Sequence, residues 1–380
     1  MNSPLTTHHS KLTTQNSPLK TRLLSLDVFR GITMAAMILV NDPGDGDHVY
    51  APLEHSKWNG CTPTDLIFPF FLFMVGVSIV YAMESRKETE SHAKLILRAL
   101  RRTVILLLIN YGIQLILHPS FSHLRFPGVL PRIAITYFIC TVLFIKTSQK
   151  TRDWLFVIAL VGYYIIMTFI PVPDFGHANL EPATNMGAWL DRLIFTPDHL
   201  WSESHTWDPE GLLGTLPAIA TGLFGIRVSS WLKRKDRDDG VKVSWMFTYG
   251  ILAVILALLW NPFFPINKAL WSSSFVLFTG GLATVGLALS YWLIDVKGHK
   301  KLTAPFVAFG ANAITAYILS DFIPHYVNRI KLAGGQSIYE LFFVPYFSPI
   351  NASLAYALFL VLLIWGVMWI LYLRKIIIKV

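Results

Sequence analysis

The sequence predicts an all-α membrane protein, a polytopic bundle of about ten transmembrane helices with both termini in the cytoplasm. Of the 380 residues, 53% are hydrophobic and only 14% are charged, whereas soluble domains carry about 25% charged residues. The apolar residues recur in runs of about 20, which is the length of a helix that crosses a bilayer. Lysines and arginines cluster between alternate runs, and this pattern predicts which side each connection faces.

Residues 1–20 differ from the rest of the chain. They are rich in Ser, Thr, Asn and Pro, so we expect a disordered cytoplasmic tail. The tail is not typical of a signal peptide, because no apolar core with a small-residue cleavage site follows it. Residues 21–380 are expected to form a single transmembrane domain.

Ten segments are long and apolar enough to be predicted as membrane spans. In chain order they are 23–40, 66–83, 95–117, 129–145, 154–170, 212–232, 243–260, 270–294, 305–323 and 354–373. The third is the least clear, because Arg98, Arg101 and Arg102 occupy its first turns. An even number of spans places both termini on one side of the membrane.

The basic residues predict the orientation. Of the 32 lysines and arginines, 23 lie on the side of the tail, 7 lie on the opposite side, and Arg30 and Arg227 lie within spans near the first side. Cytoplasmic connections are enriched in Lys and Arg, so the side of the tail is predicted to be cytoplasmic. The net charge of +9 is then a topology signal, and we expect no nucleic-acid partner. The longest connection, 171–211, is predicted to be a periplasmic loop.

A histidine lies at the predicted outer mouth of the second span. The polar stretch 54–65 (EHSKWNGCTPTD) contains His55 and runs directly into the apolar stretch 66–76 (LIFPFFLFMVG). Such a histidine is either a general base or nucleophile on a rigid buried helix, or an ordinary interfacial residue. Asn41, at the end of the first span, is predicted at the same level. Its amide either orients the imidazole or holds a carbonyl oxygen, or the residue simply ends the helix.

Other charged groups are predicted in this outer layer. Asp208 and Glu210 precede the sixth span, where they either cap the helix, whose amino end attracts negative charge, or contact a ligand. Arg132 lies at the outer boundary of the fourth span. It either snorkels to the interface or pairs with these carboxylates.

The predicted inner face carries clustered cations. Arg98, Arg101 and Arg102 occupy positions i, i+3 and i+4 and share one helix face. Lys233 begins a basic run after the sixth span. These cations are a topology signal, and they also suit a multiply phosphorylated cytosolic cofactor. Arg30 lies in the first span, three residues after Asp27. The two residues either form a structural ion pair or mark a functional site.

Nine short segments, in order over roughly residues 22–320, carry a family resemblance. They are 26–31 (LDVFRG), 55–60 (HSKWNG), 65–76 (DLIFPFFLFMVG), 125–132 (RFPGVLPR), 135–138 (ITYF), 191–193 (DRL), 198–200 (DHL), 208–215 (DPEGLLGT) and 265–271 (PINKALW). With these segments the chain resembles the transmembrane acetyltransferase family of heparan-alpha-glucosaminide N-acetyltransferase and its bacterial glucosamine-acetylating relatives.

The resemblance implies transfer of an acetyl group from cytosolic acetyl-CoA to the amine of a glucosamine-type sugar on the outer side. It implies that His55, in the HxxWNG block, is catalytic, and that Asn41 assists it, although the connection between them is a few residues longer here. Ser320 stands where the family has a histidine in the penultimate helix, so we expect a mono- or short amino sugar as acceptor. The expected location is the cytoplasmic (inner) membrane of a bacterium.

Roles for further residues follow from the resemblance and from their chemistry. His55 would take the amine proton or carry the acetyl group, and Asn41 would stabilise the oxyanion. The expected substrate contacts are Trp58, Asn59, Asp65, Arg132, Asp208, Glu210, Asn267 and Lys268. The expected phosphate contacts for acetyl-CoA are Arg30, Arg98, Arg101, Arg102 and Lys233. No metal is expected.

Two other functions fit the same residues. A sugar hydroxyl in place of the amine would make the protein a sugar O-acetyltransferase. A helical bundle with intramembrane charges and acidic outer segments also suits a transporter that moves an amino sugar unchanged. The sequence leaves open the exact acceptor, the choice between ping-pong and direct transfer, and the choice between a monomer and a homodimer.

Cysteine labelling tests the predicted orientation. In a protein with Cys61→Ser and Cys140→Ser, Leu190→Cys should react with a membrane-impermeant maleimide in intact cells. Asp236→Cys should react only after lysis, because the basic connections are cytoplasmic. The reverse labelling pattern would place His55 in the cytoplasm and contradict the predicted topology.

Overall fold

A computed structural model describes residues 23–378, and these residues form only helices and connecting turns. The α-helices are α1 (Leu24–Asn41), α2 (Ile67–Thr89), α3 (His92–Leu117), α4 (Val129–Lys146), α5 (Gln149–Phe169), α6 (Met186–Phe195), α7 (Thr215–Leu232), α8 (Asp239–Trp260), α9 (Ser273–Tyr291), α10 (Ala304–Ala311), α11 (Ala313–Val327), α12 (Ile338–Phe342) and α13 (Pro349–Leu373). Short 3₁₀ turns lie at Ala51–Leu53, Pro63–Leu66, Pro197–His199 and Ala333–Gly335, and a π-helical turn, Trp292–Val296, continues α9. The predicted tail at 1–20 lies outside the described residues.

The prediction of a polytopic helical bundle is confirmed. In the described part of the chain, eight helices are long and apolar enough to cross a membrane: α1 to α5, α8, α9 and α13. The protein is therefore a multi-pass membrane protein. The bent pair α10 and α11 would add a ninth span, and the total of ten is reached only if α7 also crosses.

The prediction of one continuous ninth span at 305–323 is wrong. α10 and α11 meet at an angle of 84°, and the break falls on Asn312. The Asn312 amide donates to the carbonyl oxygen of Ile376 (3.0 Å) and accepts from the N–H of Ile378 (2.8 Å). The segment after α13 thus satisfies the polar side chain at the break, as broken membrane helices require.

α7 is the central helix of the bundle. It packs against α2, α4, α5 and α9, and 12 of its 18 residues are buried. A helix surrounded by protein in this way needs no continuous apolar face toward lipid. The outer rim is formed by α3, α5, α8 and α13, whose apolar stretches are only 22–28% buried, against 61% in α4.

Glycines let α2 and α7 approach backbone to backbone. A Cβ atom on Gly76 would lie 2.0 Å from the carbonyl oxygen of Gly222, and one on Gly225 would lie 2.0 Å from that of Phe73. Small residues at such crossings are the usual basis of close packing between membrane helices. The contact fixes α2, whose outer end leads into the polar stretch 54–65, against the centre of the bundle.

The predicted outer loop 171–211 has structure of its own. It contains α6, whose first turn is capped by Asn185, which accepts from the N–H of Ala188 (3.0 Å). On α6, Asp191 is buried while Leu193 and Ile194 are exposed. The sequence did not predict α6, because a helix of this length is marginal by itself and forms here through tertiary contacts.

Gly225→Leu tests the α2–α7 contact. The added side chain meets backbone atoms that cannot move aside, so we expect a loss of about 1–3 kcal/mol, typical of overpacking. Gly366→Leu in α13 is the matched control, because a Cβ atom there meets nothing within 4 Å. Thermal unfolding in detergent measures both variants. Equal melting temperatures would contradict the close approach of α2 and α7.

Candidate active site

His55 is held by an aspartate at the start of the second span. Its Nδ1 lies 2.7 Å from Oδ1 of Asp65. The imidazole is 50% exposed, whereas the Asp65 carboxylate has no exposed surface. A carboxylate can only accept, so Nδ1 carries the proton in this hydrogen bond. Nε2 of His55 is therefore left with the lone pair of a base.

The carboxylate of Asp65 accepts three further hydrogen bonds. Its Oδ2 accepts from the N–H of Ser56 (3.1 Å) and from the N–H (3.0 Å) and hydroxyl (3.2 Å) of Thr62. Thr62 and Asp65 form a capping box around the 3₁₀ turn that leads into α2. We expected Asp65 to contact substrate, but in the structure it holds His55. The Thr-x-x-Asp pattern before an apolar run predicts the capping box, but it does not predict the hydrogen bond to His55.

Lys268 brings a cation to the same imidazole. Its Nζ lies 3.1 Å from both ring nitrogens of His55 and 3.9 Å from Oδ1 of Asp65. The equal distances place the ammonium beside both ring nitrogens and not along the in-plane lone pair of Nε2. Burial lowers the pKa of Lys268 below its usual range, and the carboxylates of Glu210 and Asp65 oppose this shift only in part.

The turn before α9 is joined to the HSKWNG segment by asparagines. The fully buried Asn267 donates to Oδ1 of Asn59 (3.1 Å) and accepts from the N–H of Leu270 (2.8 Å). The N–H of Gly60 donates to the carbonyl oxygen of Ile266 (2.8 Å). Asn59 and Asn267, expected as substrate contacts, thus hold two distant segments together.

Trp271 anchors this turn from inside the bundle. It is fully buried and has a φ of 53°, a left-handed conformation that costs a bulky residue about 1–2 kcal/mol. Its indole N–H donates to the hydroxyl of Thr221 on α7 (3.1 Å). The guanidinium of Arg132 lies 5.0 Å from the centre of its ring. Burial and these contacts offset the strain, so the turn is fixed against α7.

Arg132 is a buried structural cation. It is 2% exposed, and its Nη1 and Nη2 donate to the carbonyl oxygens of Pro209 (3.0 Å) and Gly211 (2.8 Å). Its hydrogen bonds therefore go to the backbone just before α7, and neither snorkelling nor pairing with the outer carboxylates describes it. We expected a substrate contact here, and the structure places this side chain beneath the site.

Arg125 is the partner of the carboxylates before α7. Its Nε and Nη2 donate to Asp208 at 2.8 and 2.6 Å, and Nη2 also reaches Glu210 at 2.6 Å. Burial raises the pKa of Glu210, but the charges of Arg125, Arg132 and Lys268 outweigh burial and leave it below its usual range. Asp208 and Glu210 are thus buried members of an ion-pair clamp, and this clamp, rather than helix capping, explains their place in the sequence.

Three tryptophans lie edge to face beside the clamp. The ring centres of Trp58 and Trp207 are 5.1 Å apart, and those of Trp207 and Trp201 are 5.2 Å apart. The indole N–H of Trp58 donates to the carbonyl oxygen of Leu180 (3.1 Å). All three rings are half-buried, so they offer a fixed aromatic surface on which a sugar ring can stack.

Asp191 lines a small cavity behind these tryptophans. The cavity measures about 20 Å³ and also touches Trp58, Arg132 and Asp208. Oδ1 of Asp191 accepts from the N–H of Leu212 (2.8 Å). Burial, followed by the negative charge of Asp208, raises the pKa of Asp191 to about 7, although the Leu212 hydrogen bond lowers it. The carboxyl therefore titrates near neutrality.

Asn41 lies at the exposed end of α1. Within residues 23–378 no hydrogen bond joins it to His55, so a shared role stays a prediction. Its neighbour Asp42 has a buried Oδ2 that finds no hydrogen-bond partner among the described residues. Burial and the nearby Asp321 raise the pKa of Asp42 to about 7. We did not single out Asp42 from the sequence; its signal was an acid directly after a helix end at the level of His55.

The five inner cations do not form one cluster. Arg30 lies within the bundle, 3.2 Å from Asp27, and donates to the hydroxyl of Ser78 (2.7 Å). Lys233, at the end of α7, forms an ion pair with Glu84. Both cations are therefore engaged by neighbouring helices.

The three arginines on α3 are separated from Arg30 and Lys233. Arg98 forms an ion pair with Glu90 at 2.7 Å, Arg102 lies 4.7 Å from the centre of the Tyr137 ring, and Arg101 is exposed. Over the same described range, no group of three or more His, Cys, Asp or Glu side chains is arranged to hold a metal ion.

Known proteins resemble this chain over most of its length. Residues 22–258 match the family model described as heparan-alpha-glucosaminide N-acetyltransferase, catalytic. The human protein named heparan-alpha-glucosaminide N-acetyltransferase (Homo sapiens) is 32% identical over 381 residues, covering 84% of this chain and 56% of that protein. The protein of the same name from Mus musculus is 31% identical over 373 residues, covering 83% and 56%. The chain spans little more than half the length of these relatives.

Asp191→Asn tests the raised pKa of Asp191. The folded protein keeps this proton up to about pH 7, whereas an ordinary aspartate loses it near 3.8. The contribution of Asp191 to stability is therefore full below the ordinary value and is lost as the pH rises toward the folded value. Asparagine mimics the protonated acid at every pH, and its oxygen still accepts from Leu212.

The difference in melting temperature, variant minus wild type, should therefore grow between about pH 4.5 and about pH 7.5. Thermal unfolding in detergent across this range measures it. A difference that stays constant or shrinks with rising pH would contradict the raised pKa.

Proposed function

The chain belongs to the heparan-alpha-glucosaminide N-acetyltransferase catalytic family, and on that premise we propose that it is a membrane acetyltransferase. It transfers an acetyl group from acetyl-CoA to the amine of a glucosamine-type mono- or short saccharide. His55 faces the periplasm, acetyl-CoA enters from the cytoplasm, and the protein resides in the inner membrane of a bacterium. The split of basic residues between the two faces supports this orientation.

The observation that carries the proposal is the hydrogen bond between His55 and Asp65. The imidazole is half-exposed, and the carboxylate 2.7 Å away has no exposed surface. The hydrogen bond between them fixes the tautomer of the imidazole. The buried carboxylate also stabilises the imidazolium that forms when Nε2 takes a proton. A base oriented in this way suits acyl transfer to an amine, in which the nucleophile must lose a proton as it attacks.

The proposed reaction proceeds in two steps. The sugar amine attacks the thioester carbonyl carbon, a C–N bond forms, the carbonyl oxygen takes the negative charge, and the amine proton moves to Nε2 of His55. The intermediate then collapses, the C–S bond breaks, and the thiolate of coenzyme A leaves with the proton from the imidazolium. A ping-pong route, in which Nε2 first carries the acetyl group, uses the same residues.

Lys268 is the proposed partner of the developing oxyanion. Its ammonium lies 3.1 Å from both ring nitrogens of His55, so it brings a positive charge to the place where the base meets substrate. A positive charge beside the reacting carbonyl stabilises the negative charge that develops on its oxygen. We assigned this role to Asn41 from the sequence. Lys268 fits it better, because Lys268 contacts His55 and the exposed Asn41 does not.

The acceptor sugar is proposed to stack on the tryptophan surface. Trp58 is three residues after His55, so a sugar ring on this surface is within reach of the base. The Arg125 clamp keeps Asp208 and Glu210 in place below the rings. These carboxylates act on the sugar mainly by positioning Trp207, which immediately precedes Asp208.

The phosphates of acetyl-CoA are proposed to bind at the opposite face. Arg101 is exposed there, whereas Arg98 and Lys233 are paired with Glu90 and Glu84. Phosphate binding at the paired cations requires exchange of these carboxylates. Arg30 and Arg102 complete the proposed set. Because the five cations do not form one cluster, different members would bind the separate phosphate groups of acetyl-CoA.

His55→Ala tests the proposal directly. Turnover of acetyl-CoA and glucosamine, read by mass spectrometry, should fall by about 10²–10⁴-fold, the usual contribution of a general base. A larger loss, with acetyl-His55 trapped in the wild type, would favour the covalent route. His48→Ala is the matched control, because His48 is also 50% exposed and also lies 2.7 Å from an aspartate, Asp45.

The control should keep wild-type turnover. Near-wild-type turnover of His55→Ala would make His55 an ordinary interfacial residue. An inserted, folded wild type that acetylates neither an amine nor a hydroxyl would overturn the acetyltransferase proposal itself.

A further inference from the structure

A second cavity lies at the far end of the bundle from His55. It measures about 610 Å³ and is lined by the adjacent ends of α2, α3, α4, α5 and α7. The clamp residues Asp208 and Glu210 precede one end of α7, and Trp231, at its other end, lines this cavity. The helix has 18 residues, which span about 27 Å at 1.5 Å per residue. The cavity is therefore separate from the candidate active site.

The cavity is built to attract negative charge. Four cations line it, Lys87, Arg152, Arg227 and Arg234, against the two carboxylates of Glu84 and Glu88. One of these carboxylates, Glu84, is already paired with Lys233 outside the lining set. The first residues of α3 and α5 also line it, and the amino ends of helices favour anions.

Arg152, which lines the cavity, has one N–H group, on Nε, that donates to no acceptor among the described residues. It is 7% exposed, and its two terminal nitrogens donate to the carbonyl oxygen of Thr147 (2.5 Å) and to Oε1 of Gln149 (2.9 Å). Its Nε is buried and has no hydrogen-bond partner among the described residues. A buried N–H without an acceptor is destabilising. Because this atom has no accessible surface, a phosphate oxygen in the cavity would remove that penalty only once the Arg152 side chain turns toward the cavity.

The surroundings of the cavity indicate what carries the phosphate. Met83, Ile145 and Ile226, each next in sequence to a residue that lines the cavity, belong to one buried apolar cluster. On the outside, α5 presents Trp154 and Ile158 to the lipid, each 60% exposed. Trp154 follows Arg152 by two residues, so an apolar, lipid-facing strip begins next to the cationic cavity.

We propose that this cavity binds the phosphate headgroup of an anionic phospholipid, whose acyl chains lie along α5. In the described residues Arg227 is paired with Asp153 (3.7 Å) and Arg234 with Asp236, so the headgroup competes with these two carboxylates for the arginines. It also accepts from Nε of Arg152 once that side chain turns toward the cavity. A free phosphorylated ligand, such as the nucleotide end of coenzyme A, shares the phosphate chemistry. Such a ligand has no acyl chains, so it would leave the apolar strip on α5 unused.

Native mass spectrometry of the purified full-length protein tests this site. The protein is titrated with phosphatidylglycerol and, in parallel, with phosphatidylcholine of the same acyl chains. Arg227→Glu combined with Arg234→Glu should weaken phosphatidylglycerol binding by at least about tenfold, because each cation near a membrane surface contributes about 1 kcal/mol. Phosphatidylcholine binding should be unchanged. Lys300→Glu combined with Lys301→Glu makes the same change in charge at exposed positions outside the cavity and should have little effect.

Three results would overturn the proposal. Equal binding of the two lipids by the wild type would show no headgroup selectivity. Equal losses in both double variants would indicate general electrostatic attraction. Displacement of phosphatidylglycerol by coenzyme A, with a parallel loss of coenzyme A binding in the cavity variant, would make the cavity a nucleotide site. If the charge-reversed protein does not elute as a single species, Arg227→Gln tests the same loss of selectivity for phosphatidylglycerol over phosphatidylcholine.

The experiment does not measure glucosamine acetylation, so its outcome is independent of the proposed function.

Discussion

A carboxylate with no exposed surface stays charged only when hydrogen-bond donors surround it, because an isolated buried charge is strongly disfavoured. Asp65 meets this condition with the imidazole of His55, the backbone of Ser56, and the backbone and hydroxyl of Thr62. All of these donors lie in one short polar stretch, so the same charge folds that stretch onto the end of α2 and orients the base. Lys268 packs against the resulting arrangement from the turn before α9. The position of the base thus depends on a buried ion that the α2–α7 contact holds in place.

The fold could be predicted wherever lipid is the main neighbour of a helix. The rim helices, such as α5 and α13, show long apolar runs, because bilayer contact demands an apolar surface along the whole length. The prediction was wrong for α10 and α11, which were expected to form one continuous span. The break at Asn312 is set by hydrogen bonds to a segment more than 60 residues later. Such partners leave no trace in local composition.

The candidate site was predictable in part for a similar reason. His55 could be singled out because it precedes an apolar run, and the Thr62–Asp65 capping pattern beside it is also local. Which polar groups contact each other across the fold cannot be predicted from local sequence. Lys268 reaches His55 across 213 positions of the chain, and Arg125 reaches Asp208 across 83. Arg125 and Arg132 look alike in the sequence, and only the fold assigns one to carboxylates and the other to backbone carbonyls.

Transfer across the membrane is the central claim, and oriented proteoliposomes measure it most directly. Vesicles containing protein of one known orientation are loaded with labelled acetyl-CoA on the side of the basic connections, and glucosamine is supplied on the side of His55. The account predicts labelled N-acetylglucosamine on the His55 side, with no product when acetyl-CoA is present only on that side. Product that forms only when both substrates share one side would contradict it.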